Sequence, residues 1–226
     1  MQLRTSAAVL VAICLPTGLI HAKTSLESRL AMAWSQMHPG MPAPPPCDHK
    51  DPVRAISGDI DVAAGEEQVL ASRRYGVALL PAAGGYPLAW ADIGCGDTRY
   101  NDDKQFPAVE EIRLLHASGM VPQDILIRLS DLGHCGGGSD YLLLRRSGDK
   151  LVTLAKLDAS LRVSCGGNPG EEWEAKVEVP MIGMLKVTTM GRYRKGTFDA
   201  PTPWIPVRRT ETYRLIGEHF VKNKSP

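Results

Sequence analysis

Tyr141-Leu142-Leu143-Leu144-Arg145-Arg146-Ser147-Gly148-Asp149-Lys150-Leu151-Val152-Thr153-Leu154 decides the fold. Two short apolar, β-prone runs flank a Ser-Gly-Asp-Lys turn, where glycine supplies the positive φ that tight hairpins want. The stretch predicts a β-hairpin. The pattern recurs on both sides. Val77-Ala78-Leu79-Leu80 faces Leu88-Ala89-Trp90 across Ala83-Gly84-Gly85, and Tyr213-Arg214-Leu215 faces His219-Phe220-Val221 across Ile216-Gly217-Glu218. From Val53 onward, β-prone runs alternate with Gly, Asp, Asn and Pro clusters. Candidate strands fall at residues 67–71, 76–80, 86–93, 109–116, 124–129, 141–146, 151–157, 161–164, 174–179, 184–193, 211–215 and 218–222. This is the signature of an all-β, mostly antiparallel fold.

Upstream of the strands the period changes. Residues 25–38 place Leu26, Leu30, Ala33, Trp34 and Met37 at spacings of three and four behind a serine able to cap, which predicts a short helix whose stripe packs on a core. Pro39-Gly40-Met41-Pro42-Ala43-Pro44-Pro45-Pro46 can propagate neither helix nor sheet and reads as an extended connector. The expected organisation is therefore a signal peptide at 1–22, helix and Pro-rich connector at 23–46, and a single β-rich domain with internal repeats at 47–226.

The first 22 residues carry Arg4, then the apolar run Ala7 to Leu15, then Pro16 and Gly18, with Ala22 at the expected cleavage point. The apolar run is too short to span a bilayer and has the length of a secretory signal. A lipoprotein reading through Cys14 is opposed by the bulky Ile13 before it. The expectation is export to the periplasm or beyond, with no stable membrane insertion, because no later segment approaches the length of a spanning helix. Cleavage removes Arg4 and takes the basic total from 26 to 25, level with the 25 acids. Such a balance argues against a nucleic-acid partner, which normally meets a basic excess. The pairs Arg73-Arg74, Arg145-Arg146 and Arg208-Arg209, and the run Arg192 to Lys195, read as solvated strand ends and turns.

After cleavage four cysteines remain, Cys47, Cys95, Cys135 and Cys165. An even number in an oxidising compartment predicts two disulfides. If the chain turns at residues 147–150, the residue opposite Cys135 falls near Arg162, close to Cys165, so Cys135 is expected to pair with Cys165 and, by elimination, Cys47 with Cys95. A zinc site using His49 or His134 beside these cysteines lacks the usual ligand spacing.

Two stretches look alike beyond composition. Gly58-Asp59-Ile60-Asp61, Glu66-Glu67-Gln68-Val69-Leu70 and the hairpin from Gly76 to Trp90 are echoed by Gln123-Asp124-Ile125-Leu126-Ile127 and the hairpin from Tyr141 to Leu154. A period of this kind is what a β-propeller-like array or a stacked β-meander produces. Gly58-Asp59-Ile60-Asp61 followed by Gly65-Glu66-Glu67 resembles the acidic loop of FG-GAP or VCBS-type β-propeller repeats. The terminal hairpin from Glu211 to Gly217 is similar to endings of bacterial periplasmic proteins with such blades. The resemblance covers part of the chain. It implies calcium bound by Asp59, Asp61 and Glu67, and a role as an immunity protein or inhibitor that neutralises a cell-wall-targeting toxin. The further Asp or Asn that an intact loop would carry near Ala63 is missing, and calcium wants six or more oxygens, so turn stabilisation is the simpler role for these carboxylates.

Catalytic motifs are absent. There is no G-x-S-x-G, no H-E-x-x-H and no phosphate loop. His134-Cys135 reads as part of a stapled loop, and Asp102-Asp103 and Glu110-Glu111, the acids a glycosidase would need, read as solvated pairs. The chain is expected to be a binding protein with a protein partner rather than an enzyme. An envelope hydrolase and a structural envelope protein are the alternatives. Arg73, Arg74, Tyr75, Arg99, Tyr100 and Trp204 are the candidate contacts, because Arg and aromatic side chains dominate interface energetics. No cofactor beyond calcium is implied.

Overall fold

The computed structural model describes residues 25–47, 51–60, 65–95, 108–119, 123–133, 136–163, 170–195 and 202–223. These contain a helix α1 (Leu26–Met37) and the strands β1 (Arg54–Gly58), β2 (Glu67–Ser72), β3 (Gly76–Pro81), β4 (Ala89–Ala91), β5 (Val109–Leu115) and β6 (Asp124–Gly133). After them come β7 (Gly136–Ser147), β8 (Lys150–Val163), β9 (Glu171–Met181), β10 (Met184–Tyr193), β11 (Ile205–Ile216) and β12 (His219–Lys222).

Each strand from β1 to β4 pairs antiparallel with the next, and so does each from β5 to β12. A parallel bridge, Trp90 to Lys150, joins β4 to β8 and links the two meanders into one sheet. A propeller would hold separate blades around a channel; these strands instead form one connected, open sheet whose path ends at β1 and β12. The mostly β, antiparallel form of the expectation stands, with one short helix.

The sheet folds over itself into layers. Val69, Ala71, Val77 and Leu79 face Ile125, Ile127, Leu129, Leu144 and Leu151. Their neighbours Leu70, Ala78 and Leu80 point the other way, onto Leu30, Ala33 and Trp34 of α1. Leu126, Tyr141 and Leu143 in turn face Val177, Leu185, Val187 and Phe220. Strands β2, β3, β6 and β7 are therefore covered on both faces, which is why they read as nearly unbroken apolar runs rather than as an alternation. The helix is held by its cap, with the Ser28 amide donating to Ser25 Oγ at 3.1 Å, and by Arg29 donating to Gln68 Oε1 at 2.6 Å. It stops where Pro39 and Gly40 follow, Gly40 taking the left-handed φ of 81°.

The β7–β8 hairpin turns where the sequence places it, with Ser147 opposite Lys150 and Gly148 at φ 65°. At the far end of β7, Gly136 has φ 143°, and a Cβ there would collide with the Arg162 carbonyl oxygen; only glycine fits this approach. The disulfide Cys47–Cys95 is formed, with Cα atoms 5.6 Å apart, and ties the Pro-rich connector to the segment after β4. Cys135 and Cys165 lie outside the described residues; the nearest described pair is Gly136 opposite Val163.

The two similar stretches are the meanders β2–β4 and β6–β8. Each opens on a buried carboxylate that captures the backbone of the preceding turn: Glu67 accepts from the Ile60 amide at 2.8 Å, and Asp124 accepts from the Ser118 amide at 2.7 Å and from Ser118 Oγ. The Gln123 amide then donates to the Ile60 carbonyl, joining the two turns. Arg145 lies 3.3 Å from the Asp124 carboxylate and balances its buried charge.

Candidate functional site

Strands β9, β10 and β11 carry an indole with guanidinium groups on each of their two faces. Trp204, just before β11, has the guanidinium carbons of Arg192 and Arg194 at 4.6 and 4.9 Å from its ring centroid. Glu172 fixes Arg192 at 2.5 Å, and the Arg194 amide donates to the Gly170 carbonyl at 3.1 Å. Gly170 leaves the space this needs: a Cβ there would lie 2.9 Å from the Trp204 ring. On the opposite face of the same strands Trp173 packs at the edge of the core, donates from Nε1 to Glu171 at 3.1 Å, and has Arg209 5.6 Å from its ring.

Between them Gly191 pairs with Trp173 on one side and Val207 on the other. A Cβ at 191 would strike the Glu172 carbonyl and Trp173, so glycine is what lets β9 and β10 approach this closely. A groove of about 370 Å³ is lined by Arg128, Arg162, Glu172, Trp173, Met190 and Gly191. Met190 is 53 % exposed, Ile205 39 % and Trp204 36 %. Arg128 is ion-paired with Glu110 and Glu174 at 2.7 Å each and donates a hydrogen bond to Glu174. The aromatic and cationic groups are thus held by ion pairs before any partner arrives, and ordering them costs little on association. Stacked guanidinium groups on an exposed indole suit contact with carboxylates and with flat or apolar side chains.

The sequence-nominated residues fall in different places. Trp204 is central to this surface. Arg73 is buried and donates to the Ser130 carbonyl at 2.7 Å, fastening the β2–β3 turn to β6. Tyr75 is buried against α1, with Arg74 4.7 Å above its ring. Arg74 also donates from Nε to the Pro44 carbonyl at 3.0 Å and from its amide to Asp51 at 2.9 Å, holding the connector. Burial pushes the Asp51 carboxyl up, and these amide bonds only partly offset it. Arg73, Arg74 and Tyr75 thus tie the β2–β3 turn to β6, the connector and α1. Arg99 and Tyr100 lie outside the described residues, as does Asp61.

Asp59 is exposed, while Glu67 is committed to the Ile60 amide. Among the described residues no group of three or more His, Cys, Asp and Glu is placed to hold a metal ion. Glu110 is bound to Arg128 and Glu111 to Arg113 at 2.9 Å, so this acid pair is split between two cations. Asp102, Asp103, His134 and Cys135 lie outside the described residues.

Trp173, Arg192, Arg194 and Arg209 escaped the sequence reading because their basic runs looked like solvated strand ends. The signal was the interleaving: an indole at 173 among acids, and another at 204 between two basic clusters.

Below the surface, burial first and then the hydrogen bond to Glu211 at 3.0 Å and that carboxylate's charge push the Tyr213 phenol up to about 12. The ordinary tyrosine value is about 10. Between those values the unfolded chain loses this proton while the folded chain keeps it, so stability is full below about pH 10 and falls as pH rises toward 12. Denaturation at stepped pH is expected to show this decline, shallower in Tyr213→Phe; equal slopes in both proteins would rule it out.

No protein family, curated protein or solved structure matches this chain.

Proposed function

We propose that the chain is an exported envelope protein that binds a protein partner through the surface around Trp204. The observation that carries this reading is the exposed indole of Trp204 in contact with the guanidinium groups of Arg192 and Arg194. Trp and Arg are the residues over-represented among energetic anchors of interfaces, and here they are pre-ordered. Export is supported by the signal-like residues 1–22 and by the disulfide Cys47–Cys95, which an oxidising compartment maintains. The register Gly136 to Val163 supports a second disulfide between Cys135 and Cys165. An inhibitor of a cell-wall-targeting toxin is one form such a complex takes, and the repeat-like opening of the two meanders is consistent with that resemblance.

The test is capture from an envelope extract of the host with residues 23–226 as bait, disulfides formed, beside Trp204→Ala. A stoichiometric partner is expected on the parent bait, with affinity at least about tenfold weaker for the variant. A partner held equally by both baits, or none on either, overturns the assignment.

A further inference from the structure

Strand β11 offers more than side chains. β10 covers one of its edges from Ile205 to Arg214, but β12 covers the other only at Tyr213 to Ile216, extended by the Asn223 amide donating to the Thr212 carbonyl at 2.8 Å. Along residues 205–211 no described strand lies on that second edge. The Thr212 bond fixes the parity. In an antiparallel ladder the amide and carbonyl of one residue point the same way, and alternate residues point opposite ways. Arg208 and Thr210 therefore turn an amide and a carbonyl each toward the open edge, and Pro206 turns a carbonyl alone. Residues 204–206 and 208–210 are exposed, as an uncovered edge requires.

Arg192 and Arg209 meet Glu172 and Glu211, but Arg208 and Arg214, which share one face of β11, meet no carboxylate among the described residues. Resting on the binding reading above, we infer that β11 takes its partner by strand addition: an extended acidic segment pairs with residues 207–211 and sets its carboxylates against Arg208. Strand addition draws affinity from main-chain bonds and selectivity from alternate side chains. Pro206 limits the pairing at one end and β12 at the other, so the acceptor accommodates about five residues. Unguarded edges also invite self-association, and the adjacent cations oppose a second copy of this chain.

The probe is a fluorescein-labelled Glu-Val-Glu-Val-Glu-Val-Glu peptide, titrated by anisotropy against oxidised residues 23–226. Binding is expected, at least tenfold weaker when alternate amides of the peptide are N-methylated. The same loss is expected in Thr210→Pro, which removes an outward amide and no described bond, and in Arg208→Glu. Circular dichroism confirms that both variants fold. Equal binding of the methylated and plain peptides, reduced only by Trp204→Ala, overturns strand addition and leaves the surface reading intact. No peptide binding while the envelope partner is still captured does the same. A concentration-dependent dimer in sedimentation that Thr210→Pro abolishes makes the occupant a second copy and overturns the acidic segment. Tighter binding of an oligothymidylate than of the peptide overturns the partner class.

Discussion

Leu143→Ala is expected to lower the unfolding free energy by about 3 to 5 kcal/mol, the range for emptying a fully enclosed leucine site. Leu143 has no exposed surface and lies in β7 between Leu126 of β6 and Ala155 of β8. It packs beneath Val177, Leu185 and Val187 from the overlying strands. Its neighbours are clamped in ladders on both sides, so the cavity cannot collapse by moving one strand. The comparison is Val179→Ala, in the same layer but only partly buried, which is expected to cost about 1 kcal/mol. Urea denaturation of both variants decides it: equal losses would mean that β7 is not covered on both faces.

Replacing Cys47 and Cys95 together by Ala is expected to cost roughly 4 kcal/mol, from the chain entropy released when a cross-link spanning 48 residues is opened. The bond closes a loop containing β1 to β4, and its two ends are otherwise joined to the sheet by few contacts, chiefly Arg74 on Pro44. Loss is therefore expected first at α1 and the connector, whose helix packs on Leu70, Ala78 and Leu80 without covalent support. Proteolysis should cut between residues 39 and 47 in the double variant well before it cuts the parent. An unchanged denaturation midpoint would show that the layer formed by α1 holds itself.

The hairpins were legible because their signals are local: Gly148 and Gly217 sit at turns of positive φ, flanked by β-prone runs. The long strands were harder. Residues 151–157 and 161–164 are one strand, β8, because a bulge near Ala159 lets the ladder to β7 continue past a residue that looked like a break. β11 begins at Ile205 rather than 211, since Pro206 argues against a strand interior and is tolerated only because its edge is open. β1 was missed altogether; Arg54-Ala55-Ile56-Ser57-Gly58 has little apolar pattern and is an outer strand held by β2. The burial of Arg73 and Tyr75 was not legible, because whether an Arg-Arg-Tyr turn meets solvent or another strand depends on β6, distant in sequence. The surface around Trp204 was half legible: the indole stood out, but its pairing with Arg192 and Arg194 exists only once β10 and β11 align.

Hydrogen exchange of the chain, free and with its captured partner, tests the central assignment most directly. Slowed exchange is expected at residues 170–173, 190–194 and 204–211 alone, strongest at the Arg208 and Thr210 amides. Protection centred instead on the turn at residues 73–75, with residues 204–211 unchanged, would contradict it.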